Sequence, residues 1–187
     1  IDSLYSMPFR LKKEITIDFG EHLTGYFSFS VRSTGLAADG PLRFKLTFGE
    51  VPSEVAVSFD SYKEGLSRAW LQDEVVSVMY VPQTVTLPRR LAFRYIKIEL
   101  LGSSPYYDFN IHDMKCMAQT SAQNIPEELP QAVDPMIRKI DRVGLNTLKE
   151  CMQTVYEDGP KRDQRLWIGD LYLEALGNNY SYKQHDL

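Results

Sequence analysis

The sequence predicts a mainly β protein, a jelly-roll-like antiparallel β-sandwich followed by an αα-hairpin. Three observations carry that reading. From Ile15 to about Ala118 apolar and polar residues alternate, the period of half-buried strands. Beyond residue 133 the apolar residues recur at helical spacing instead. Between the two lies a stretch from Gln119 to Gln131, with Thr120-Ser121, Asn124, Pro126 and Pro130, that has no apolar face of its own. The expected organisation is therefore a sandwich domain over 1–118, a linker over 119–133 and a helical hairpin over 134–187.

Taken in order, Ile15, Ile17 and Phe19 share one side of a first strand. Phe27, Phe29 and Val31 repeat this against Ser28, Ser30 and Arg32, and Leu42, Phe44, Leu46 and Phe48 against Arg43, Lys45 and Thr47. Each apolar set requires a facing sheet. Further strands read at Val75 to Val81, Val85 to Leu87, Phe93 to Leu101 and Phe109 to Ala118. Turn chemistry stands at Asp39-Gly40-Pro41, at Pro88 and at Gly102 to Pro105. Short strands at this spacing make a sandwich.

Asp134-Pro135 then supplies an N-cap and a proline at the first helical position. Ile137, Ile140, Leu148, Cys151, Met152 and Val155 follow at helical spacing, which predicts about six turns. Asp158-Gly159-Pro160 stops that helix, since proline lacks an amide hydrogen and disfavours helix in the residue before it. A second helix reads from about Arg165 to Tyr182, with Ile168, Leu171, Tyr172, Ala175 and Leu176 as its buried face. A lone hairpin of this length exposes too much apolar surface to stand by itself, so it must pack on something.

Composition excludes several functions. The 187 residues are 43% hydrophobic and 25% charged, the proportions of a globular protein, and neither disorder, collagen nor a disulfide scaffold fits them. The formal charge of -4 gives no field to hold a polyanion, so no nucleic-acid partner is expected. No apolar stretch approaches the roughly 18–20 residues of a membrane span. Any cleaved signal would lie upstream of Ile1, which leaves the compartment open. Cys116 and Cys151 are expected as free, packed thiols. His22, His112 and His185 lack the paired spacing of a metal site, and no cofactor is expected. Asn179-Tyr180-Ser181 matches a glycosylation acceptor pattern too short to be informative.

The segment from Tyr156 to Asp170 is the densest candidate for chemistry. If helical geometry begins near Asp163, then Asp163, Trp167 and Asp170 fall at i, i+4 and i+7 and share one stripe. Two carboxylates beside an aromatic plane suit sugars: carboxylates bind hydroxyls or move protons, and the ring covers the apolar face of a pyranose. Arg162 and Arg165 would orient the carboxylates or hold them ionised. The plainer alternative is that these aspartates cap a helix start and pair with arginine at the surface.

Asp158-Gly159-Pro160-Lys161-Arg162-Asp163-Gln164-Arg165-Leu166-Trp167-Ile168-Gly169-Asp170 resembles the Asp-Cys-Pro-x-Arg-Asp-Glu-x-x-Gly-Trp-x-Gly-Asp segment of the α-L-rhamnosidase group of glycoside hydrolases. Asp18-Phe19-Gly20, Gly25, Leu42 to Glu50 and Phe93-Arg94-Tyr95-Ile96 are similar to the sandwich that precedes the barrel in that group. The resemblance implies that the hairpin opens an (α/α)6 barrel. It also implies an inverting hydrolysis of terminal rhamnose, with Asp158 and Asp170 binding sugar hydroxyls, Arg162 supporting them and Trp167 stacking on the ring. Three departures stand out. Gly159 replaces the cysteine, the glycine before the tryptophan is missing, and the general acid position falls on Gln164. Asp163 takes that role if the one-residue deletion rotates the helix start; otherwise the chemistry is altered or lost. The catalytic base would come from later in the barrel, so the chain reads as an inactive fragment of a longer glycosidase. Its expected partners are a rhamnose-containing glycan and the rest of the barrel, and the resemblance favours a periplasmic or extracellular site.

The competing reading is a non-catalytic carbohydrate-binding sandwich, with Tyr62, Trp70 and Tyr106-Tyr107 as an aromatic platform; a third is a sandwich that only braces a barrel.

Overall fold

The computed structural model describes residues 2–63, 65, 67 and 71–187. The chain divides into two compact units, Ile1–Ala118 and Gln119–Leu187.

Among the described residues the first unit holds six strands: β1 (Glu14–Ser33), β2 (Leu42–Gly49), β3 (Gln72–Val78), β4 (Gln83–Thr86), β5 (Leu91–Gly102) and β6 (Phe109–Ala118). All pairings are antiparallel, in the order β3-β2-β5-β1-β4, with β6 also on β1. Two strands expected separately, Ile15 to Phe19 and Phe27 to Val31, are one 20-residue strand. Its register against β5 shifts between Asp18 and Leu23, where Gly20 takes φ +84° and donates its N–H to Asp18 Oδ1 at 2.7 Å. A bulge bends a strand and increases its twist without ending the ladder. β1 therefore pairs with β5 over Glu14–Gly25 and with β6 over Gly25–Ser33. At the crossover, a Cβ on Gly25 would lie 2.1 Å from the Met117 carbonyl oxygen, so only glycine fits.

The predicted alternation places the core. Phe27, Phe29, Val31, Leu42, Phe44 and Leu46 are all fully buried. Phe29 meets Phe44 edge-on at 5.9 Å, Phe44 meets Phe109 at 5.7 Å and Phe27 meets Phe48 at 5.6 Å. β2 is hydrogen-bonded to neither β1 nor β6, so these rings touch across the core, and the unit is a β-sandwich. The strand expected at Val75 to Val81 is shifted to Gln72–Val78; Val75, Met79 and Tyr80 face solvent. Tertiary hydrogen bonding overrides the apolar pattern there: buried Gln72 accepts from the Ala92 N–H at 2.9 Å. Two short helices, α1 (Asp2–Ser6) and α2 (Pro52–Ala56), were not signalled by periodicity.

The second unit contains α3 (Pro135–Cys151) and α4 (Ile168–Tyr180). Asp134 caps α3 as expected, accepting from Met136 N–H at 2.7 Å. The helix ends at Cys151 rather than running through Val155, because residues 152–156 form a tight turn closed by a Met152–Tyr156 bridge. Linker residues satisfy its last carbonyls: Thr120 Oγ1 donates to Lys149 O at 2.6 Å and Ser121 N to Met152 O at 2.7 Å. Met152, Tyr156 and Tyr182 form a small core with Leu145, Leu148 and Leu171. Beneath it, buried Asn178 donates to the Tyr156 hydroxyl at 2.6 Å and the Gln184 carbonyl at 2.5 Å, and accepts from Gln184 N–H at 3.1 Å.

The buried face expected for α4 is corrected. Ile137, Ile140 and Val155 are exposed, and so are Ile168, Tyr172 and Leu176. Of the expected α4 face only Leu171 and Ala175 are half-buried. One hairpin has a single seam, so an apolar pattern that spans more than that seam leaves residues in solvent.

Candidate functional site

α4 begins at Ile168, three residues later than expected, so Asp163, Trp167 and Asp170 do not form one helical stripe. Trp167 is the extended N-cap residue, with φ −116° and ψ 133°, and of the three only Asp170 lies in the helix. What precedes it is a closed loop built on Asp158. The Asp158 carboxylate accepts from the Asp163 N–H at 3.1 Å on both oxygens and from the Arg165 N–H at 3.2 Å. The Asp158 N–H donates back to Arg165 O at 3.0 Å. A carboxylate offers about four lone-pair positions, and these contacts use three of them. Asp158 thus organises the loop, with its remaining acceptor capacity on Oδ2.

Two sequence departures acquire local reasons. A Cβ at Gly159 would sit 2.6 Å from the Arg162 carbonyl oxygen, so the loop in this conformation excludes a cysteine there. Gln164 occupies the left-handed region at φ 61°, and its side-chain amide donates to Pro160 O at 2.7 Å. An ionised glutamate has no proton to make that bond.

Arg162, Asp163, Trp167 and Asp170 are all exposed, Trp167 by 51%. Behind them lies an acidic group that the sequence reading missed. Glu174, one turn beyond Asp170 on α4, packs beside the buried Cys151, and its Oε2 is buried without a hydrogen-bond partner. Burial, reinforced by the negative charges of Asp170, Asp158 and Glu157, raises its carboxyl from the usual 4.5 to about 7. Burial also pushes the Cys151 thiol up to about 12, which makes it inert as a nucleophile. Asp158 and Asp170 are thereby both within electrostatic reach of Glu174. The i, i+4 spacing of Asp170 and Glu174 was visible in the sequence, but nothing there marked position 174 as enclosed.

The remaining candidates separate. Tyr107 is buried and donates its hydroxyl to Gly40 O at 2.8 Å, whereas Tyr106 is exposed, so the pair is not a platform. Tyr62 is partly exposed and stacks on Phe59; Trp70 lies outside the described residues. Among the described residues, no group of three or more His, Cys, Asp or Glu is placed to hold a metal, and no helix is long and apolar enough to cross a membrane. Both cysteines are free of disulfide bonds.

A sandwich followed by helices, with an acidic and aromatic loop between the helices, is the arrangement found in a class of glycoside hydrolases. Residues 1–118 match the family description "Glycosyl hydrolase family 78 alpha-rhamnosidase N-terminal domain". The whole chain superimposes on 36% of a rhamnosidase from Klebsiella oxytoca with rhamnose bound, at TM-score 0.91 and 39% identity. The GH78 family rhamnosidase of Bacillus sp. GL1 matches 90% of this chain over 16% of its own, at TM-score 0.68 and 22% identity, a likeness of fold. No curated protein matches. The chain belongs to glycosyl hydrolase family 78, the alpha-rhamnosidases, and spans about a third of the Klebsiella oxytoca protein's length.

Proposed function

We propose that this chain is the sandwich, linker and opening helical hairpin of an α-L-rhamnosidase whose remaining helices complete an (α/α)6 barrel. The observation that carries this is the Asp158-centred loop in a chain 39% identical, over its full length, to a rhamnosidase with rhamnose bound. In this reading Asp163 is the general acid. Asp158 fixes its backbone, Trp167 lies against the sugar ring, and Asp170 accepts from sugar hydroxyls with Arg162 in support. Catalysis by inversion needs a carboxylate on the opposite face of the sugar, roughly 6.5–9.5 Å from the acid with a water between them. That base would come from the later barrel, so the 187-residue chain alone would not turn over substrate. The exposed apolar residues of α3 and α4, Ile140 and Tyr172 among them, would be covered by the neighbouring barrel helices.

The test is release of an aryl rhamnoside by the longer protein carrying this chain. Asp163→Asn should lower kcat by about 10²–10⁴, the usual contribution of a general acid. Asp158→Asn should lower it through a disordered loop, with loss of amide protection at Asp163 and Arg165. Unchanged activity in both variants removes these roles.

A further inference from the structure

An irregularity in β6 builds a polar cleft on the outer face of the sandwich. Phe109 and Ile111 are buried in the core and Met114 packs against it, so two residues, His112 and Asp113, stand where strict alternation allows one. The register of β6 against β1 shifts at the same place, between Ser28 and Ser30, and Asp113 takes φ 52°. A bulge of this kind re-aims side chains, and aspartate is among the few residues that tolerate the left-handed region.

The bulge sets the two side chains together, with Asp113 Oδ2 2.8 Å from His112 Nδ1. The hydrogen bond from His112 first, and then the charges of Lys115 and Arg32, hold the Asp113 carboxyl below its usual range. An ionised carboxylate only accepts, so the neutral ring carries its proton on Nδ1. His112 is 8% exposed, with its ring edge-on to Tyr5 of α1 at 6.5 Å between centroids. Its Nε2 is buried and has no hydrogen-bond partner. Such an atom is costly to enclose, which points to a ligand that meets it. Beside His112 opens a cleft of about 160 Å³, lined also by Ser30, Arg32, Pro82 and Thr84. Ser30 stands opposite Thr84 on β4 and opposite His112 on β6, which puts these three residues in one row across three strands. The Ser30 and Thr84 hydroxyls lie 2.8 Å apart. Two hydroxyls carry two protons and the bond between them uses one, so one is left to donate outward. Arg32, two residues further along the same face of β1, is exposed at the rim.

We propose that this cleft binds a tetrahedral dianion, phosphate or sulfate, free or as the end group of a larger ligand. Arg32 and a protonated His112 supply two positive charges with their donors, and the hydroxyl pair supplies a further donor. Around His112 and Asp113 the positive Arg32 and Lys115 outnumber the one carboxylate, so the local field favours an anion over a cation. Neutral imidazole offers only a lone pair at Nε2. An oxyanion therefore binds with uptake of one proton there, and Asp113 stabilises the imidazolium that results. The site uses none of the residues assigned to the Asp158 loop, so either site stands or fails without the other.

The 187-residue chain, labelled for backbone and histidine-ring NMR, is titrated at constant ionic strength with sulfate, phenyl phosphate and acetate. Expected with sulfate are saturable shifts at His112, Ser30, Arg32 and Thr84. Binding should be about tenfold tighter at about pH 5.5 than at about pH 8, because histidine changes charge in that interval and sulfate does not. Saturation by phenyl phosphate at the same residues identifies the end group of a larger ligand, and saturation by sulfate alone the free ion; either result upholds the site. Arg32→Met, at an exposed position, should weaken sulfate binding about tenfold, the loss of one charge-assisted hydrogen bond. His112→Gln should weaken it as much and abolish the pH dependence; if that buried substitution fails to fold, Arg32→Met decides. Absence of saturable shifts at these residues overturns the proposal. So does acetate binding as tightly as sulfate, an affinity equal at the two pH values, or sulfate binding kept in full by Arg32→Met.

Discussion

Glu174 makes the stability of the second unit fall as the pH rises. Its folded carboxyl titrates near 7 against 4.5 when solvated. Between those values the folded state binds a proton that the unfolded state has released, so unfolding becomes easier with each step up in pH. The favourable contribution is complete below about pH 4.5 and gone above about pH 7. At about 1.4 kcal/mol per pH unit a wholly enclosed group would contribute roughly 3 kcal/mol. Glu174 is only half-buried, and solvent screening reduces this to about 1 kcal/mol. Glu174→Gln stays neutral at every pH and keeps the shape. It should match the wild type at pH 4 and be about 1 kcal/mol more stable at pH 8. Urea unfolding of the chain, read by amide exchange in α4, separates this unit from the sandwich. The difference between the two proteins cancels the titrating groups that do not interact with Glu174. A wild type and variant with parallel profiles from pH 5 to 8 would show that Glu174 is ordinarily ionised and refute the enclosure.

Two further outcomes follow from named contacts. Gly159→Ala puts a methyl 2.6 Å from the Arg162 carbonyl oxygen and forces the loop to shift, at about 1–3 kcal/mol; faster proteolysis between residues 158 and 166, with unchanged melting of the sandwich, is the expected reading. Asn178→Asp removes the donor to the Gln184 carbonyl and brings two acceptors together in a buried site, which should cost about 2–4 kcal/mol in urea unfolding of the second unit, whereas Asn179→Asp at the exposed neighbour should cost almost nothing.

The parts of the fold legible in the sequence are those governed by local period and local capping. Phe27, Phe29 and Val31 went to the core because alternation sends every second residue to one face. Asp134 capped α3 because its carboxylate reaches the second helical amide without help from any other segment. The misread parts depend on partners far along the chain. α3 was given an extra turn because Val155 continues its period, but the carbonyls at its end are taken by Thr120 and Ser121, some thirty residues upstream. The stripe of Asp163, Trp167 and Asp170 dissolved for a related reason: spacing assumes a helix, and Asp158 instead holds the amides of residues 163 and 165 in a loop. The resemblance gave Asp158 a role as a sugar ligand, whereas most of its acceptors serve the backbone. Glu174 escaped notice because enclosure depends on Cys151 at the end of the other helix. A residue's type and neighbours in sequence thus nominate a candidate segment, while which of its groups hold the loop depends on hydrogen bonds that spacing does not encode.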